Sequence, residues 1–214
     1  MTVGLLHTVP SLAATFDDLI RATGRDLRRI HVADAWLLDT GRRDGVTDPV
    51  RDTVTAHVRQ LESLGARAVL VTCSSIGEAA EAAATAVRIP VVRVDAAMAA
   101  EAVALATRPG ARRRLAVLAT LPSTLGPTGR LVERAARGAV PPIEVIAEVV
   151  AGTAEGQERD TSVAAAVGRV ATGADAVVLA QASMAGAAAL ADVAVPVLSS
   201  PAGGVAALLA AVDP

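Results

Sequence analysis

The sequence repeats itself at an offset close to half its length. GLLHTVPS (4–11) returns as AVLATLPS (116–123), and GARAVLVTCSSIGEAA (65–80) returns as GADAVVLAQASMAGAA (173–188). IPVV (89–92) returns as VPVL (195–198), so the offsets are 112, 108 and 106. RIHVADA (29–35) pairs more weakly with PIEVIAE (142–148), at an offset of 113. Matched segments in the same order, with the loops after the strands included, point to duplication of one folding unit.

The repeated unit is read from its periodicity. Short apolar runs fall at 2–7, 29–33, 67–72, 90–94, 114–119, 142–149, 175–180 and 195–198. Ala-rich stretches near 11–23, 48–64, 76–87, 96–107, 124–137, 157–172, 184–192 and 202–211 separate them. AVLVT (68–72) and AVVLA (176–180) do not alternate with polar residues, which marks strands buried on both faces, as in parallel sheets. The expected fold is α/β, with two pseudo-symmetric lobes of parallel β-sheet flanked by helices. The lobes are expected at 1–95 plus 201–214 and at 96–200, with helix 96–107 crossing between them. Ligands of such sheets bind beyond the carboxyl ends of the strands, so a site in the cleft between the lobes is expected.

Composition excludes several chemistries. All 20 basic residues are Arg and none is Lys, which removes Schiff-base catalysis, a pyridoxal phosphate anchor and a Walker lysine. One Cys excludes an intrachain disulfide and a thiolate zinc cluster, and no metal site is expected. With no Tyr, one Trp, one Phe, scattered Arg residues and a net charge of −2, no nucleic-acid partner is expected. No uninterrupted run of about 18 apolar residues occurs and the first residues lack a basic leader pattern, so the expectation is a cytoplasmic protein with no membrane contact. GxGxxG is missing after the first strand, so no dinucleotide cofactor is expected.

The loops after the strands hold the residues that can carry chemistry. Cys73 follows AVLVT and precedes SSIG and a helix, where free N–H groups favour a thiolate. A small buried apolar residue is the equally weighted alternative. Thr72, Ser74 and Ser75 flank it and suit a carboxylate or enolate oxygen, or a helix cap. Thr8, Pro10 and Ser11 pair across the repeat with Thr120, Pro122, Ser123 and Thr124, offering uncharged donors for a carboxylate or, again, caps. Gln181 stands where the repeat would put a partner for Cys73, with Ser183 beside it; Ser199 and Ser200 end the last strand. His7 is the histidine expected near the cleft, in a structural role ahead of a catalytic one. His31 and His57 are assigned no role. The stretch DTGRRDG (39–45) reads as a solvated charged turn, with an Arg42 clamp on a mobile lid as the alternative.

At VTCSSIG and its repeat VLAQASM the sequence resembles the aspartate/glutamate/hydantoin racemase superfamily, which also holds arylmalonate decarboxylases and maleate cis–trans isomerases. The resemblance extends over nearly the whole chain: GLLHTVPS is similar to the family's first loop, VTCSSIG to its first cysteine loop, VLATLPST to its second-lobe substrate loop, and IPVV and VPVLSSP to the strands closing each lobe. It implies two pseudo-symmetric lobes, no cofactor, and a small carboxylate-bearing substrate held between two cysteines, one removing a proton and the other delivering one. Cys73 corresponds to the first-lobe cysteine. The second-lobe LxC reads Leu179-Ala180-Gln181, so the second thiol is missing. The resemblance therefore implies an isomerase of the racemase/epimerase or cis–trans type using Cys73 as acid/base or nucleophile. A single-cysteine decarboxylase or lyase is the alternative, and a non-catalytic ligand-binding descendant stands behind both. A homodimer or higher homo-oligomer is expected.

Overall fold

A computed structural model describes residues 1–150 and 156–213. Contacts divide the chain into two compact units, Met1–Val94 with Pro201–Pro214, and Asp95–Ser200.

In the first unit the order is β1 (Thr2–His7), α1 (Leu12–Ala22), β2 (Arg28–Ala33), α2 (Ala35–Asp44), α3 (Asp48–Ser63), β3 (Val69–Val71), α4 (Gly77–Ala83) and β4 (Val91–Arg93). In the second it is α5 (Ala96–Ala106), β5 (Arg114–Ala119), α6 (Pro122–Ala135), β6 (Glu144–Val149), α7 (Gly156–Ala171), β7 (Ala176–Leu179), α8 (Ala185–Leu190) and β8 (Val197–Ser199). A last helix, α9 (Ser200–Val212), supplies the carboxyl-terminal part of the first unit. Each unit holds one four-stranded sheet with every pairing parallel, in the orders β2-β1-β3-β4 and β6-β5-β7-β8. The same topology twice is what the duplicated sequence required.

The alternation of side chains along a strand decides what each face meets. Val3 and Leu5 of β1 and Ala68 and Leu70 beside them pack with Phe16 and Ile20 of α1 and Val205 and Leu208 of α9. Leu6, Val69 and Val71 face the other way, onto α2, α3 and α4 through Leu37, Val54, Leu61 and Ala80. The second unit repeats this. Val117 and Val178 pack with α5 and α6, and Leu118 and Val177 with α7 and α8. So α5 follows the first unit's last strand but covers the second sheet, and α9 does the reverse. The central strands β1, β3, β5 and β7 are buried on both faces, which is why they read as continuous apolar runs.

Three expectations are corrected. Residues 39–45 are not a turn or lid: α2 runs through them, Asp34 caps it by accepting from the Trp36 N–H at 3.0 Å, and Gly45 at φ 75° ends it. The three charged residues at its end hid a helix whose buried stripe is only Leu37, Thr40 and Gly41. The second strands repeat at an offset of 116, not 113, because Leu5 pairs with His31 and Val117 with Ala147. And Cys73 does not open an α-helix. It precedes a single 3-10 turn, Ser74–Ile76, and the α4 that follows has seven residues, so the helix-dipole argument for the thiol is weak. No helix among the described residues is long and apolar enough to cross a membrane.

Candidate active site

In the first unit, the carboxyl ends of β1 and β3 lie side by side, because Leu6 pairs with Val71 and the Thr72 N–H donates to Leu6 O at 2.9 Å. This pairing places His7 and Thr8 next to Thr72 and Cys73. Alternation then sorts them. Cys73 packs against the apolar layer of α3 and α4 and is partly exposed, whereas Thr72 and His7 are turned toward α1. Thr8 is 1% exposed, and its Oγ1 has no hydrogen-bond partner among the described residues. A buried hydroxyl without a partner costs on the order of 1–3 kcal/mol, which a bound acceptor would offset. Ser74 and Ser75 are buried in the turn after Cys73.

On the α1 side a polar chain runs through the otherwise apolar layer. His7 is fully buried; its Nδ1 lies 2.9 Å from Thr72 Oγ1 and its Nε2 2.9 Å from His31 Nδ1. His31 Nε2 faces Asp17 Oδ1 at 3.3 Å, and Arg29 Nε pairs with that carboxylate at 2.6 Å. Burial, and then the neighbouring His31, lower the His7 pKa from 6.5 to about 4, so its imidazole is neutral at neutral pH. Sequence reasoning gave His31 no role and did not single out Asp17; only the β1–β2 register and the placing of α1 bring them to His7.

Arg93 was also missed. It ends β4, is buried, and pairs with Glu81 at 2.6 Å. It fits because residue 77 is glycine: a Cβ there would lie 2.4 Å from Arg93 Nη2.

In the second unit Gln181 occupies the place of Cys73, after β7 and before a 3-10 turn. Its Oε1 accepts from the Thr120 N–H at 2.7 Å and from the Thr120 hydroxyl at 2.9 Å. A backbone N–H can only donate, so the oxygen must be the atom on Thr120 and the amide NH2 is directed away. Thr120 is thus engaged, where its repeat counterpart Thr8 is not.

The remaining expected residues are less involved. Ser123 is half-buried in the first turn of α6, and Ser199 is half-buried at the end of β8. Pro10, Ser183 and Arg42 are exposed. Ser11 sits at the start of α1 without a side-chain capping bond, and Leu121, not Thr120 or Ser123, holds that place on α6. A groove of about 480 Å³, lined by Arg112, Gly168, Thr172, Asp192 and Val195, lies at the amino ends of the second unit's strands, away from Thr120 and Gln181. No cluster of three His, Cys, Asp or Glu that could hold a metal occurs among the described residues.

Comparison with known proteins now decides the family. The family model described as Asp/Glu/hydantoin racemase matches residues 10–208. The chain belongs to this family. No curated protein matches the sequence. Among solved structures, a glutamate racemase from Bacillus anthracis is similar over 98% of this chain and 80% of its own, with TM-score 0.72 and 16% identity. An allantoin racemase from Klebsiella pneumoniae is similar over 98% and 86%, with TM-score 0.72 and 17% identity. An arylmalonate decarboxylase is similar over 100% and 93%, with TM-score 0.64 and 19% identity. At these identities the structural likeness concerns the two-unit α/β fold. Within the racemase family this chain is thus one in which the loop after β3 carries a thiol and the equivalent loop after β7 carries an amide.

Proposed function

We propose that this racemase-family protein is an enzyme acting on a small carboxylate-bearing substrate, with Cys73 as its single thiol acid/base and with proton chemistry on one face of the substrate only. The observation that supports it is the state of Gln181. A two-base racemase needs a proton acceptor and a donor on opposite faces of a planar carbanion. Gln181 exchanges no proton near neutral pH, and its carbonyl oxygen is committed to Thr120. No Lys or Tyr exists in the chain to replace it.

The residues then divide the work. Thr8, with its unpartnered buried hydroxyl, and Ser74 and Ser75 offer donors to a carboxylate or to the enolate oxygen that develops as a carbanion forms. Thr120, Ser123 and the Gln181 amide NH2 orient the substrate. Cys73 delivers or removes the proton. One-sided delivery fits a decarboxylase or lyase, or a nucleophile-assisted cis–trans isomerase, better than a racemase, and this ordering reverses the one the family resemblance alone implies.

The test uses a panel of arylmalonates, maleate, hydantoins and acidic amino acids in D2O. The expected result is turnover of a substrate of the first two kinds, a single deuterated product enantiomer where a stereocentre forms, and loss of turnover in Cys73→Ala. Interconversion of both enantiomers of an amino acid or hydantoin by the wild type, or turnover retained in Cys73→Ala, overturns the reading.

A further inference from the structure

The polar chain on the α1 side of the first unit is not needed for the fold. By strand register, the second-unit counterparts of His7, His31 and Thr72 are Ala119, Ala147 and Ala180. The same sheet order with the same register is thus built with three alanines in one unit and with two imidazoles and a hydroxyl in the other. Burying polar groups costs free energy unless all are hydrogen-bonded, so the difference calls for a reason other than stability. The unit that carries the chain is the unit that carries Cys73.

We propose that His7 is a positioning residue for the Cys73 loop, acting through Thr72, with its hydrogen-bond direction set by the proton state of His31 beside Asp17. This rests on the reading of Cys73 as the working thiol. His7 does not act on the thiol directly, because Thr72 and Cys73 point to opposite faces of their strand. It acts on the residue that begins the loop.

Donor and acceptor bookkeeping allows two arrangements. With both imidazoles neutral, the Thr72 hydroxyl donates to His7 Nδ1 and His7 Nε2–H donates to His31 Nδ1, while His31 Nε2 lies 3.3 Å from Asp17 Oδ1. In the second arrangement the pair holds one more proton, placed on partly exposed His31 beside Asp17, with fully buried His7 neutral. His31 Nδ1–H then donates to His7 Nε2, His7 Nδ1–H donates to Thr72 Oγ1, and the Thr72 hydroxyl turns to Leu6 O, 3.1 Å away. His7 and the Thr72 hydroxyl keep a partner in both arrangements. One proton gained at the α1 edge, with nothing else exchanged, therefore reverses the Thr72 hydroxyl at the base of the loop. The charged groups beside the pair are Asp17 of α1 and Arg29 of β2, and Asp34, before α2, reaches it through its backbone. The Asp34 N–H donates to His7 O at 2.9 Å, and its carboxylate is held by His57 of α3 at 2.8 Å.

The experiment needs no substrate. The rate of Cys73 alkylation by iodoacetamide is measured from pH 5 to 9 in the full chain, for wild type, Thr72→Val, Thr72→Ser and His7→Ala. In wild type, the profile is expected to carry an inflection that follows proton uptake by the histidine pair. Thr72→Val and His7→Ala lose it and change the rate below pH 7 between about two- and tenfold, the worth of one net hydrogen bond. Thr72→Ser restores it. In parallel, ¹⁵N-histidine NMR should show His7 neutral throughout, with its proton moving from Nε2 to Nδ1 as His31 takes up charge. Profiles for Thr72→Val and His7→Ala that superimpose on wild type, or a His7 tautomer that does not change as His31 titrates, overturn the proposal. Failure of the Cys73 reading shows instead as turnover retained in Cys73→Ala, which neither of these measurements reports.

Discussion

Buried, neutral His7 gives the first unit an acid sensitivity that can be calculated. Its pKa is about 4 in the fold against 6.5 for a free imidazole. A depressed histidine pKa means that the unfolded chain binds the proton more readily, so stability is full above about pH 6.5 and is lost as pH falls toward 4. A shift of this size corresponds to about 3 kcal/mol at full extent, and to about 2 kcal/mol at pH 5. Against a typical total of about 5–15 kcal/mol this is large. The sole tryptophan, Trp36, lies on α2 of the same unit, so its fluorescence follows the unfolding of that unit in urea. His7→Ala, which mimics Ala119, removes the ring's packing and hydrogen bonds at every pH but also removes the proton linkage. The stability gap between wild type and variant should therefore shrink by about 2 kcal/mol between pH 7.5 and pH 5. A gap of the same size at both pH values would refute the assignment of His7 as a buried neutral imidazole.

Other substitutions probe single contacts. Gly77→Ala puts a Cβ 2.4 Å from Arg93 Nη2, and the buried guanidinium must give way; a loss of about 1–3 kcal/mol is expected, seen as a melting temperature lower by several degrees, and an unchanged melting temperature would contradict the packing. Asp34→Ala removes both the α2 cap and the partner of His57, and should cost about 1–2 kcal/mol by urea unfolding followed at Trp36. Arg42→Ala should leave both the melting temperature and carboxylate affinity unchanged within error, because Arg42 is exposed near the end of α2; a severalfold loss of affinity would revive the clamp.

Most of the fold was legible because burial on both faces leaves a strong trace. β1 and β5 coincide with their apolar runs, β2 starts one residue earlier, β8 is shifted toward its carboxyl end, and the other strands are trimmed by one or two residues at an end. The helix α2 was hidden for a physical reason: Gly41, Arg42, Arg43 and Asp44 are poor evidence for a helix, and of these only Gly41 is buried, where Ile76 Cγ2 would lie 3.7 Å from a Cβ on it. Cys73, Thr8, Thr120 and Gln181 could be found because they occupy equivalent positions in a repeat. His31, Asp17 and Arg93 could not. Their significance lies in partners 12 to 24 residues away, fixed by register and by the missing Cβ of Gly77 rather than by any local spacing.

The two units make the functional argument by their differences. Duplication gives two loops of one shape, and selection on fold alone would keep them alike. Where they diverge, they do so in a consistent direction. The first unit has a thiol, an unpartnered Thr8 hydroxyl, and behind them a histidine pair. The second has an amide locked on Thr120 and three alanines behind it. An amide that satisfies both donors of its neighbour holds a loop still, whereas a thiol beside an unpartnered hydroxyl leaves hydrogen-bonding capacity open. The proposed division, proton transfer in the first unit and substrate orientation in the second, rests on this difference. Two-base racemisation needs a proton-exchanging group on each face, and an amide at Gln181 is not one, which is why the proposed chemistry is one-sided.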